Sequence, residues 1–148
     1  MNTDTRCQLN AAAPALLRWA LGLLMLTGGI PKLMGLHGFV NGYLIPAFAS
    51  TFLPGWMITG YGYALPFVEV LLGLLLILGV CRACTLLLNG LTLLSLAFGQ
   101  MLIKNHATVG TIFLYVLMTA LALWLGERDT WGLNICCPCR KRDKADAP

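Results

Sequence analysis

The chain has 148 residues, 58% of them hydrophobic and 11% charged, with a formal net charge of +4. A water-soluble domain carries about a quarter charged residues, so this chain cannot cover itself with a wet surface. That excludes an ordinary soluble enzyme and, with so few basic residues outside the C-terminal tail, a nucleic-acid binder; the class indicated is an integral membrane protein.

Long apolar runs then set the architecture. Four of them have the roughly 20 residues that a hydrocarbon core about 30 Å thick requires: residues 15–35, 61–80, 83–103 and 109–125. No sustained alternation points to a β-barrel, and a helix satisfies its own backbone in lipid. The expected fold is all-α: a single-domain four-helix bundle spanning residues 1–148, with a short tail over 127–148. The first run has a basic residue, Arg6, ahead of it, as a signal peptide would, but its apolar stretch starts late and no A-x-A-like site closes it. It is therefore read as a retained span.

With an even number of spans both termini lie on one side. That side would hold Arg6, Arg18, Arg82, Arg128, Arg140, Lys141, Arg142 and Lys144, and the other only Lys32 and Lys104. Basic residues accumulate on the cytoplasmic side, so both termini of this multi-pass chain are predicted cytoplasmic, in the cell's inner (plasma) membrane. The RKRDK tail suits topology or anionic lipid better than nucleic acid.

The stretch between the first two spans, LHGFVNGYLIPAFASTFLPGWMITG, is too broken by Pro46, Pro54 and glycines to cross the bilayer and too apolar for a free loop. Phe39, Tyr43, Phe48, Phe52 and Trp56 recur about every four residues, as in a segment lying along the interface. An aromatic belt is the preferred reading, and a lid over a cavity between helices the alternative. The short turns around VCRAC and KNHAT predict antiparallel neighbours for spans 2 and 3 and for spans 3 and 4. Small residues at Gly22, Gly28, Gly29, Gly73, Gly90, Ser95 and Gly99 mark close helix contacts.

Glu69 stands out as an acid inside a span, which makes it a functional candidate by default. The partner expected is Lys32, near the end of span 1 and within roughly 5–8 Å of Glu69 in depth at about 1.5 Å rise per residue. Pro66, if it starts the regular helix, would set Glu69 near a positive dipole end. An interhelical clamp is the preferred reading of the pair, and a proton-handling or ligand-binding carboxylate the alternative. His106 and Lys104 in the turn before span 4, and His37 after span 1, fall on the same side. These two histidines with Glu69 could ligate a metal, although no spacing motif links them and a polar vestibule is the simpler reading. Asn89 and Gln100 are expected to hydrogen-bond to neighbouring helices.

Six cysteines are present, Cys7, Cys81, Cys84, Cys136, Cys137 and Cys139, all on the predicted cytoplasmic side, where disulfides are rare. C-R-A-C at the turn between spans 2 and 3 and C-C-P-C after span 4 could together bind Zn²⁺ or Cu⁺. Arg82 and the RKR run would favour reactive thiolates. The plainer alternative is a set of interfacial cysteines with no shared role, and in a eukaryotic cell they would be palmitoylation candidates.

LLRWALGLLML with Arg18, GGIPKLMG with Lys32, and PFVEVLLGLLLILGVCRA with Glu69, Gly73, Gly79 and Arg82 resemble the DoxX-like family of small four-helix membrane proteins, which includes DoxD-type and MauE-type members. His106 falls where the family often has a histidine. The likeness runs over about residues 15–134. It implies a small membrane accessory subunit of a redox or sulfur/metal-stress system, working with a redox protein partner. One alternative is a quinone-linked thiol or sulfur oxidoreductase subunit, with quinone as cofactor and Glu69, Lys32 and His106 as its catalytic candidates. Arg18, Arg82 and His37 are then the binding candidates. A third alternative is a small transporter, which would need a homo-oligomer to enclose a path.

Overall fold

The computed structural model describes residues 3–126, with side chains from residue 12 onward. These residues form five α-helices and one π-helical segment, with no strand among them: α1 (Thr3–Met34), the π-helical segment Gly38–Leu44, α2 (Ile45–Phe48), α3 (Gly55–Leu78), α4 (Arg82–Leu102) and α5 (His106–Leu125). Ala12–Met34 of α1 and the whole of α3, α4 and α5 are long and apolar enough to cross a membrane. The protein is an all-α four-helix bundle, and lipid is the solvent for its outward face. Leu16, Leu71, Leu91, Leu117 and Trp124 project outward, which would be costly in water and is neutral in hydrocarbon.

α1 packs on α3 and α4 on α5, and the two pairs join through α1 and α5. The α1–α3 contact is built by missing side chains. A Cβ at Gly22 would lie 3.0 Å from the Gly73 carbonyl oxygen, and one at Gly73 would lie 2.9 Å from the Gly22 carbonyl oxygen. One at Gly29 would meet the Cβ of Glu69 at 2.9 Å. With no hydrophobic drive between helices in lipid, close backbone approach is what gains dispersion energy. Gly28 faces open space and takes no part in this contact. The second pair is tied by a buried polar contact, in which Asn89 Nδ2 donates to Thr119 Oγ1 at 3.1 Å. Gln100 instead accepts from Asn105 Nδ2 in the turn that follows its own helix. The core has a lower cluster of Leu21, Leu76, Leu86 and Ala122 and a middle one of Met25, Leu93, Ala97 and Ile112. Leu44, Phe48 and Ile58 form a third beneath the π-helical segment and α2.

The turn from α3 to α4 is made by two left-handed residues, Gly79 (φ 72°) and Cys81 (φ 42°). Gly79 suits that conformation, and its N–H and that of Val80 both donate to the Leu75 carbonyl. Tight as the turn is, α3 and α4 are not close neighbours along their length: they diverge from it, and each spends its packing on another helix. Helices joined by a short turn were expected to stay together. The glycine-lined face of α3 points to α1, and this outweighs the connectivity.

α3 also starts six residues before the expected span, at Gly55, so Pro66 lies inside the helix. Glu69 is therefore a mid-helix residue, and the dipole-end argument for its ionisation does not hold. The interfacial stretch is a π-helical turn running into the short α2, with Asn41 Nδ2 and His37 Nδ1 2.7 Å apart at its start. Phe52 and Trp56 do face outward as a belt would, but Phe48 is buried and Phe39 half-buried over a cavity whose rim the more exposed Tyr43 also lines.

Candidate functional site

The site lies at the end of the bundle where α1 finishes. Gly29 brings α3 against α1 at Glu69, and Lys32, about one helical turn further along α1, reaches across. Lys32 Nζ donates to both Glu69 oxygens, at 2.7 and 2.8 Å. The two side chains are unequally buried, Glu69 at 4% exposure and Lys32 at 27%. The ammonium also lies 5.6 Å from the centre of the Phe39 ring, a favourable cation–π distance. The carboxylate is thus enclosed, and the ammonium is the accessible half of the pair.

A cavity of about 390 Å³ opens beside Lys32. Phe39, Tyr43, Leu44 and Phe48 cover it from the interfacial segment, Ile58, Tyr61 and Leu65 line the α3 side, and Ser95, Leu96 and Gly99 line the α4 side. It occupies the space left by the divergence of α3 and α4. Tyr61 Oη and Ser95 Oγ, 2.7 Å apart, bridge that gap.

The other sequence candidates are not gathered here. Arg18 is at the opposite end, 2% exposed, where one guanidinium nitrogen donates to the Leu76 and Ile77 carbonyls at 2.6 and 3.2 Å. These are C-terminal carbonyls of α3, which lack helical partners and carry the negative end of the helix dipole. Arg18 ties α1 to the end of α3, a role its position in an apolar run did not suggest. Replacing it by methionine is expected to lower stability by about 1.5–3 kcal/mol, the range for hydrogen bonds from a charged donor, read as a loss in thermal unfolding in detergent. Arg82 opens α4 at that same end.

His37 and His106 are both exposed, His106 as the first residue of α5. Cys81 and Cys84 flank the start of α4, and neither is in a disulfide among the described residues. No group of three or more His, Cys, Asp or Glu side chains able to hold a metal occurs among the described residues. Cys136, Cys137 and Cys139 lie outside the described residues. The cavity corresponds to the alternative reading of the aromatic segment, a lid between helices, which the sequence ranked behind the belt. The aromatic spacing of 39, 43 and 48 was its one trace.

No protein-family model, curated protein or solved structure matches this chain. The functional reading therefore rests on the residues themselves.

Proposed function

We propose that this chain is a small multi-pass subunit of the plasma membrane, DoxX-like in kind, that supports a redox or sulfur/metal-stress system by working with a partner protein. Both termini face the cytoplasm. The observation that carries the reading is that the described residues comprise four spans and one short interfacial segment, with the Lys32–Glu69 ion pair joining two of the spans. Chemistry beyond binding and support then falls to another chain. The basic residues support the orientation, since Arg18 and Arg82 sit at the end opposite Lys32. Purification in mild detergent from the native host, followed by mass spectrometry, is expected to find a redox protein in stoichiometric amount. Recovery of the chain alone, carrying its own bound cofactor, would remove the accessory role.

The cavity favours a second reading, a subunit passing electrons from thiol or sulfur compounds to quinone drawn from the bilayer. In this reading Lys32 sits at the quinone and Cys81 and Cys84 remain candidates for thiol chemistry at the other end. The purified chain would then reduce a soluble quinone analogue with thiosulfate or a dithiol as donor. Absence of turnover in the chain alone, and turnover with the partner added, would return the chemistry to the partner.

A further inference from the structure

The cavity's volume of about 390 Å³ falls within the ~300–1,000 Å³ typical of small-ligand pockets. Its walls are mostly apolar, and the polar side chains on it are Lys32, Tyr43, Tyr61, Ser95 and Gln100. Three properties of these residues define what fits.

The first is charge. Lys32 lines the cavity and Glu69 does not. An ammonium has three N–H donors, and Glu69 takes two of them, leaving one for an oxygen acceptor in the cavity. The charge of Lys32 is already balanced. A carboxylate, sulfonate or phosphate entering here would face the buried Glu69 carboxylate just behind the ammonium, with little solvent to screen the two anions. A cation would meet the ammonium first. A neutral head with a carbonyl or hydroxyl oxygen meets neither obstacle.

The second is direction. Tyr61 and Ser95 are both outward-facing residues within spans, and their hydroxyls mark the gap between α3 and α4. Phe98 and Met57, also on the cavity wall, are half-exposed beside them. The opening is thus lateral, toward hydrocarbon. The third is size. The volume holds a head group and the first part of one chain, and the remainder of that chain would lie in the bilayer.

We propose that this cavity binds a neutral amphiphile with one apolar chain, entering sideways between α3 and α4, its head oxygen accepting a hydrogen bond from Lys32. Monoacylglycerol-type lipids and prenylated carbonyl compounds share this chemistry. The inference rests on the cavity and its ion pair, and holds whether or not the chain serves a redox system.

The test uses the full chain in phosphatidylcholine nanodiscs and a monoacylglycerol carrying a diazirine in its chain. After photolysis, mass spectrometry is expected to find labelling concentrated on the α4 segment around Ser95–Gln100 and suppressed by excess monoolein or decylubiquinone. Whichever competitor works at the lower concentration names the source of the natural occupant. An alkyl sulfonate bearing the same diazirine is expected to label that segment at least about tenfold less, a difference of one decade in affinity. Ser95→Trp, which fills the cavity from its rim, is expected to abolish the focused labelling, and Leu94→Trp on the lipid face to leave it intact. Labelling spread evenly over the outward faces of the spans would overturn the proposal. Equal labelling by the sulfonate would also do so, and both of these readings are made on the unmodified chain and need no variant to fold.

Discussion

Lys32→Met is expected to destabilise the protein by about 3 kcal/mol, the lower end of the range for breaking a buried ion pair by removing one partner. Glu69 is almost fully enclosed, and both of its oxygens are satisfied by the one ammonium. Taking the ammonium away leaves the carboxylate with no charged partner in a region with little water. The lower end applies because Lys32 is only partly enclosed, so the pair as a whole is not fully buried. Glu69→Met is expected to cost less, because the orphaned ammonium is the half that reaches the cavity. The decisive variant is the double one. Met at both positions removes two charges together and keeps similar volume, and it is expected to recover most of the stability lost in Lys32→Met, since an apolar pair of matching shape often replaces a buried ion pair without loss. Thermal unfolding in detergent, followed by tryptophan fluorescence, measures all three. If the double variant is as stable as the parent yet loses the redox partner or the cavity's ligand, the pair is functional as well as structural. If it retains both, the pair is a clamp alone.

Gly73→Val is expected to be at least as damaging. Its new side chain would point into the α1–α3 contact, where even a Cβ would stand 2.8 Å from Leu26 Cγ and 2.9 Å from the Gly22 carbonyl oxygen. Leu26 can rotate away, but a backbone carbonyl cannot, so the helices must separate. Overpacking of a close contact costs about 1–3 kcal/mol, and here the separation also lengthens the Lys32–Glu69 bridge, about one turn away along α3. Loss of more than one contact in a single step puts the expected outcome at a fold that no longer survives purification. Size-exclusion chromatography of the detergent-solubilised variant reads this directly as aggregation. Gly28→Val provides the control: nothing lies within 4 Å of a Cβ there, and the protein is expected to remain monodisperse.

The four spans were legible because lipid imposes a length and a polarity on each, and both are properties of a local stretch. The Lys32–Glu69 pair was legible for a related reason, since charges are scarce in such a chain and depth can be counted in residues. What was not legible depends on the choice among equally apolar neighbours. Nothing in the run around Gly73 says that α3 prefers α1 to α4, because both alternatives present leucines and small residues. The divergence of α3 from α4, and so the cavity, followed from that choice. The start of α3 at Gly55 was missed because Pro66 reads locally as a helix opening, whereas in lipid a proline within a helix is tolerated. Arg18 was counted for topology, and its capping of α3 required knowing which helix end would meet it. The interfacial segment was correctly excluded as a span, yet its inward aromatic residues are separated from its outward ones by geometry that a π-helical turn sets and a regular period does not.

The closeness of Lys32 and Glu69 also bears on how the chain enters the membrane during synthesis. A charge carried alone to the centre of the bilayer costs about 2.5–3.5 kcal/mol on insertion scales; Glu69, mid-helix, faces most of that cost, and Lys32, in the last turn of α1, a smaller one. α1 precedes α3 along the chain, and the glycines that draw the two together stand next to both charges. The first span is therefore expected to wait at the translocon for the second and to leave it as a paired hairpin, its two charges cancelled before they meet lipid.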